Sequence, residues 1–370
     1  MNPRVSFVVP CYNLGHLLAE CVTAILSQTY GDLEVLIMDD CSPDQTADVA
    51  RSFRDSRVTH VRNDPNLGHL RNYNKGIGLA RGKYVWLISA DDCLRRMHVV
   101  ERYVRLMENH PGVGYVFCPA VRLEDGRESD VIDYSWHGDR DAIIDGRSFL
   151  AKLVYANTIA SPTGMVRKEC YDRLGMFPLD MPWCGDWYLW CLFALHYDVA
   201  YLAEPMVYYR RHALTMTNRL MSGSLHHCSE EDVAVPWIIK RKAEEAGHRS
   251  IVAACRRALA VEYARSVATQ RYKTSGPVMT LEECESSLHH HARDDREERW
   301  IRARAYAGIA DAAYWQRDFA RARAFYTKGL REDAWMPKVL LKFALLALGN
   351  AGIACRDGLP SLRRAISGVE

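Results

Sequence analysis

The first half of the chain keeps changing its hydrophobic period, and that alternation restricts the fold more than any other feature. "RVSFVV" (Arg4–Val9) is a largely apolar run of strand length, and "HLLAECVTAILSQ" (His16–Gln28) then places apolar residues at helical spacing. The pair recurs as "LEVLIMDD" with "QTADVARSFRD", "RVTHVRN" with "HLRNYNKGIGLARG", and "KYVWLISADD" with "MHVVERYVRLMENHP". Strands without a polar face need cover on both sides. The pattern therefore predicts an α/β fold, a mostly parallel sheet flanked by helices. "VGYVFCPAVRLEDG" (Val113–Gly126) reads as one longer strand, the candidate for an antiparallel partner.

The texture then changes twice. Between Asp139 and Thr217, Trp, Tyr, Pro, Met and Gly crowd together, and from about Glu230 onward nearly everything is helix-periodic. Two domains are expected, 1–225 and an all-α domain 226–370, which suits a length of 370 residues. "RARAYAGIADAAYWQRDFARARAFYTKGLREDAWMP" resembles a tetratricopeptide-like helix pair. The net charge of +2 offers no field for nucleic acid. The 12 cysteines contain no CxxC pair, which argues against a zinc or disulfide framework and for a reducing compartment. The N-terminus lacks signal-peptide architecture. No run reaches the roughly 20 apolar residues that cross a bilayer. The location expected is cytoplasmic.

In such sheets, ligands bind beyond the carboxyl ends of the strands. Those ends read "PCYN" (Pro10–Asn13), "DDCSPD" (Asp39–Asp44) and "SADD" (Ser89–Asp92), with "NLGHLRNYNKG" (Asn66–Gly76) after the third strand. Clustered carboxylates repel one another unless a cation stands between them, and hard oxygens suit Mg²⁺ or Mn²⁺. Arg71 can fork onto a phosphate. Tyr12 offers a flat face to a base and Asp40 an acceptor to a ring N–H. The set points to a nucleoside diphosphate. Neither GxxxxGK[ST] nor GxGxxG follows the first strand, so no P-loop or dinucleotide fold is indicated. Asp44, in Ser-Pro-Asp, reads as a helix cap.

Taken in order, "VVPCYN", "IMDDCSPDQT", "NLGHLRNYNKGIGLARGKYVWLISADD", "GDWYLW" and "EPMVYYRRH" resemble a non-processive family 2 glycosyltransferase of the GT-A fold, over roughly residues 4–215. The resemblance implies inverting transfer from a nucleotide sugar, UDP-sugar favoured, with Mg²⁺ or Mn²⁺, to a glycan or lipid-linked acceptor. It makes 1–225 the catalytic domain, with a donor half 1–120 and an acceptor half 121–225. It places Pro10, Tyr12, Asn13, Asp39, Asp40, Asn66, Arg71, Ser89 and Asp91 around the nucleotide. Asp91 and His212 become metal ligands. Asp92, Trp183 and Trp187 face the donor or acceptor sugar, and Arg210 and Arg211 face the leaving group. Asp186 becomes the general base, at a helix start whose dipole favours the carboxylate.

Two positions depart from the pattern. Ser89 stands where the family's Asp-x-Asp-Asp begins, and Gly185 stands where an acid often precedes the base. They sustain an alternative, a non-catalytic nucleotide-sugar-binding scaffold or sensor. The helical domain is expected to serve a homodimer, a partner or peripheral membrane contact at the inner face. Its apolar stripe from Ala334 is accompanied by Lys338, Lys342, Arg356, Arg363 and Arg364. The His289–His291 triplet is expected to face solvent.

Overall fold

The apolar runs of the first half pair in parallel, since none has a polar face to turn to water. The computed structural model describes residues 2–124, 126–132, 138–213, 215–268 and 277–358. In it β1 (Val5–Cys11) and β2 (Leu33–Asp39) are buried along their whole length. β1 lies between β2 and β4 (Tyr84–Leu87), and β3 (Val58–Arg62) adds to β2, all parallel. Helices α1 (Gly15–Leu26), α2 (Thr46–Ser52), α3 (His69–Leu79) and α4 (Val99–Asn109) alternate with these strands and with the two-residue β5 (Cys93–Leu94).

The single long strand expected from Val113 to Gly126 is instead two. β6 (Val113–Phe117) stays in the main sheet, while β7 (Ala120–Glu124) joins a second one. The break falls at Cys118-Pro119, where proline supplies no ladder N–H. The chain continues through β8 (Arg127–Ile132), β9 (Ala142–Ile144), α5 (Gly146–Leu153), β10 (Met165–Arg167), α6 (Lys168–Leu174), α7 (Gly185–His196), β11 (Asp198–Tyr201), β12 (Val207–Arg211) and α8 (Met216–Gly223). The main sheet runs β3-β2-β1-β4-β10-β6-β11-β9 and the second β5-β12-β7-β8. β10 makes the reversal, antiparallel to both β4 and β6.

An aromatic stack ties the loop before β10 to the sheet. Trp86 lies 5.3 Å from Phe7 and 4.6 Å from Tyr103, ring centre to ring centre. Its indole N–H donates to the Pro162 carbonyl at 2.8 Å, and the Tyr103 hydroxyl to that of Thr163 at 3.0 Å. Helix α3 comes equally close to the strands. A Cβ on Gly76 would stand 2.4 Å from Val8 Cγ1 and 3.0 Å from Met38 Cγ, and the Asn72 amide donates to the Met38 carbonyl.

The chain divides into two units, Met1–Gly223 and Ser224–Glu370. The second contains α9 (Leu225–Glu245), α10 (Arg249–Ala268), α11 (Leu281–His291), α12 (Asp295–Trp315), α13 (Phe319–Glu332), α14 (Pro337–Ala347) and α15 (Gly349–Gly358). α12 and α13 are joined by a tight turn in which Arg317 takes a φ of 63° and the Asp318 side chain caps α13. Small residues let the pair approach, and Gly329 backs onto the Ala303 carbonyl.

One expectation changes here. Lys342 does not belong to a cationic surface, because it is buried and pairs with Asp311 at 2.6 Å. The histidines of the triplet are all exposed, as expected, with the His291 ring 5.8 Å from that of Trp237. Arg363 and Arg364 lie outside the described residues, as does the side chain of Arg356. Among the described residues no helix is long and apolar enough to cross a membrane.

Because α3 positions several site residues, its contact with the sheet is testable. Gly76→Ala should cost about 1–3 kcal/mol by overpacking against Val8 and Met38. It should lower the thermal midpoint of the first unit. An unchanged midpoint would show that α3 can lift off the sheet freely.

Candidate functional site

The carboxylates at the strand ends are out of water, so their partners determine what each can do. Asp39 ends β2 fully buried. It accepts from the Ser42 N–H at 2.8 Å and from Arg62 at 2.6 Å, with His60 at 3.2 Å. Burial raises its pKa, but the hydrogen bonds from Ser42, Arg62 and His60 outweigh it and hold the group below the usual range. Asp40 is 3% exposed and accepts from the Asn63 amide (2.8 Å) and the Leu67 and Gly68 N–H groups (2.8 and 2.9 Å). The Asn66 amide donates to the Asp40 carbonyl at 2.6 Å. Expected as a direct base contact, Asp40 instead spends most of its acceptor capacity fixing the loop that starts α3. Asp44 accepts from the N–H groups of Gly15 and Thr46, as expected of a cap.

Around these struts the chain leaves a few groups open. Tyr12, directly after β1, is 41% exposed. Asn13 takes a φ of 58° and donates its N–H to the Ser42 hydroxyl. Pro10 is buried, and its carbonyl accepts from Ala90 at 3.1 Å, which aligns the Ser89–Asp92 turn with the end of β1. Arg71 is exposed and has no hydrogen-bonding or ionic partner among the described residues.

The Ser89–Asp92 turn closes with the Asp92 N–H on the Ser89 carbonyl at 2.9 Å. β12 and the residues after it then clamp it. The Asp91 carboxylate lies 3.0 Å from His212 Nε2, and both side chains remain partly open. Asp92 accepts from the Arg210 N–H at 2.8 Å. Burial, and then the charge of Asp91, push the Asp92 pKa well up. Asp92 is 6% exposed, so it anchors β12 rather than offering a free carboxylate to a sugar. The Arg210 guanidinium is also committed, to the Asp91 carbonyl and to Glu20 on α1, both at 2.8 Å. It is a brace for the turn, not a free cation for a leaving group.

Asp186 sits in the first turn of α7 and is half-buried. It accepts from the Trp187 N–H at 2.6 Å and from Asn157 and Ser161. Burial exceeds these bonds and raises its pKa to about 6. Desolvation therefore beats the helix dipole, against the sequence expectation. Gly185 has a steric reason, since a Cβ there would stand 3.2 Å from the Phe177 ring. Trp187 is 1% exposed and donates its indole N–H to the Leu153 carbonyl, so it is core beneath the site and not a wall for a sugar. Trp183 is half-buried just before the helix.

Sequence reasoning overlooked Tyr73. Burial raises the proton affinity of its phenol, and so do the charges of Asp91, Asp186 and Asp92, in that order. Three carboxylates thus bear on one phenol. The available signal was its place on α3, one turn after His69 and one before Gly76. Glu20 and Asn63 gave no signal, because each acts through a partner distant in sequence.

The Asp40 strut makes its own prediction. Asp40→Ala strips the acceptor from three buried or half-buried donors and should cost on the order of 3 kcal/mol. Urea unfolding measures the cost. A loss well under about 1 kcal/mol would mean that the loop holds without it.

Residues 6–161 match the sequence family described as Glycosyl transferase family 2. The match ends before Asp186, Arg210 and His212. GlyG, a glycosyltransferase of Streptococcus pneumoniae serotype 4, is 33% identical over 115 residues, which span 30% of this chain and 38% of that protein. An uncharacterized glycosyltransferase of Haemophilus influenzae is 27% identical over 216 residues, 57% of this chain and 66% of its own length. Among solved structures, TarS 1-349 of S. aureus superposes with a TM-score of 0.58 at 17% identity, covering 96% of this chain and 92% of that one. At that identity the likeness is one of fold, a mixed α/β sheet of the GT-A kind followed by helices, and the match to glycosyl transferase family 2 is that of residues 6–161.

Proposed function

We propose that the protein is an inverting glycosyltransferase. It moves a sugar from a nucleoside-diphosphate sugar to a hydroxyl of a glycan or lipid-linked acceptor, with Asp186 as the base. The observation that carries this reading is the clamped Ser89–Asp92 turn, where the Asp91 carboxylate lies 3.0 Å from His212 Nε2 and both side chains stay partly open. Asp186, at the start of α7 with its pKa raised to about 6, is the proton acceptor of the reading. TarS 1-349 has been crystallised with UDP-GlcNAc, which makes that nucleotide sugar the first donor to try.

In this reading the exposed Tyr12 ring stacks on the base and Arg71 approaches the diphosphate. Asp91 and His212 would hold Mg²⁺ or Mn²⁺. Two adjacent, partly open protein donors fit an ion that takes its remaining ligands from phosphate and water. Such an ion, when bound, stabilises the negative charge of the departing diphosphate. Ser89 adds no charge to the set. Asp186 takes the proton from the acceptor hydroxyl as its oxygen bonds to the anomeric carbon. The bond from that carbon to the phosphate oxygen breaks, and the nucleoside diphosphate leaves with the electron pair. Displacement from the opposite face inverts the configuration.

Asp91→Ala and Asp186→Ala should each abolish transfer, while only Asp91→Ala weakens Mn²⁺-dependent UDP binding, as read by calorimetry. Transfer by Asp186→Ala at the wild-type rate would remove the base assignment. The pH profile gives a second test. Asp186 must be ionised to accept a proton, so kcat should fall as pH drops through about 6, roughly tenfold per unit below it, and level off above. A flat profile between pH 5 and 7 would contradict the base role. The scaffold alternative, kept open by Ser89, predicts nucleotide-sugar binding without hydrolysis or transfer.

A further inference from the structure

At the opposite end of the main sheet from the carboxylate-bearing strand ends lies a cavity of about 730 Å³, whose lining includes Arg4, Asp32, Arg81, Lys83, Arg167 and Lys168. Topology gathers these residues. Arg4, Asp32 and Lys83 immediately precede β1, β2 and β4, and Arg167 ends β10, opposite Tyr84 on the antiparallel β4. Two of the cations are paired, Arg81 with Glu34 and Lys168 with Asp172 at 2.7 Å. The other three share one acid. Glu108 lies 2.9 Å from both Arg4 and Lys83, and it also accepts from the Tyr84 hydroxyl at 2.7 Å. Neither terminal amine of Arg4 donates a hydrogen bond among the described residues. Arg167 is 7% exposed and has no carboxylate partner among them. Its Nε and Nη2 donate to the Val113 and Met107 carbonyls, both at 3.1 Å, and its guanidinium carbon stands 5.4 Å from the centre of the Tyr84 ring. All of these partners are neutral, so the buried charge itself is unpaired.

We propose that this cavity is a second binding site, for a phosphate-type oxyanion held by Arg4, Lys83 and Arg167. The proposal is independent of the glycosyltransferase reading above. A buried cation with only neutral partners is costly, and an anion in the cavity relieves that cost. The free amines of Arg4 offer the planar fork that matches phosphate oxygens, and the Lys83 ammonium adds a mobile charge. The acids of the lining leave positive charge in excess. Asp172 belongs to Lys168, and Glu169 pairs with Arg173 at 2.9 Å. Asp32 is exposed and makes no ion pair, so it can accept from a hydroxyl of the ligand. The volume is that of a small-molecule site and exceeds what a phosphate group alone fills. Free phosphate and the phosphate of a phosphorylated small molecule share the chemistry that these three residues recognise.

The test titrates inorganic phosphate, glucose 6-phosphate and glucose into the full chain by calorimetry, at constant ionic strength and without divalent metal. Phosphate should bind saturably and raise the thermal midpoint by mass action, while glucose does neither. Tighter binding of glucose 6-phosphate than of phosphate assigns the site to a phosphorylated small molecule, and equal or weaker binding assigns it to free phosphate. Arg4→Ala and Lys83→Ala, both at partly exposed positions, should each raise the phosphate Kd roughly tenfold, the worth of one hydrogen bond to a charged group. Arg167→Met should abolish binding. If that variant does not fold, the Arg4 and Lys83 variants decide the matter without it. Arg71→Ala, at the other end of the sheet, should bind phosphate as wild type does. Absence of saturable phosphate binding to wild type would overturn the proposal. So would binding that survives both Arg4→Ala and Lys83→Ala, or that Arg71→Ala abolishes, since either result places the anion elsewhere.

Discussion

Carboxylates buried at the ends of parallel strands need donors, and the first unit is arranged around supplying them. Asp39 and Asp40 take theirs locally, from the turn after β2 and from the loop before α3. Asp92 cannot. Its partner is the backbone N–H of Arg210, from a strand that arrives 118 residues later. The return of β12 beside β5 is therefore a condition of the Asp91–Asp92 turn and not an ornament of the second sheet. The same return brings His212 to Asp91 and lets Arg210 bridge to Glu20 on α1. One strand thus sets His212 beside Asp91 and braces the turn.

Asp186 is governed by the opposite balance. It has a helix start and several donors, yet burial still leaves its proton affinity raised. That combination suits a base operating near neutral pH, because a group held far below the usual range would be a poor proton acceptor. The packing that encloses it also explains the glycine before it. Phe177 occupies the space a side chain at 185 would need, and the same ring holds Tyr73. The start of α7 is thereby linked to α3.

The apolar alternation of the first half made the parallel sheet legible, and polar residues at its strand ends marked the site before any coordinates. Burial divided those residues into roles that residue type could not. Asp39, Asp40 and Asn66 proved to be struts, Trp187 core, and Arg210 a brace, because each meets a partner that spacing does not reveal. Lys342 changed in the same way, from an expected surface cation to a buried ion pair.

The sequence alone determined the order of strands and helices, the end of the sheet where chemistry can occur, and the carboxylates placed there. Periodicity and strand polarity are local properties, and they are written in consecutive residues. Only the tertiary structure decided which of those carboxylates keep free acceptor capacity, that His212 pairs with Asp91, and that Phe177 packs against Tyr73. Those outcomes depend on desolvation and on hydrogen bonds between residues far apart in the chain, and both are set by where the backbone returns.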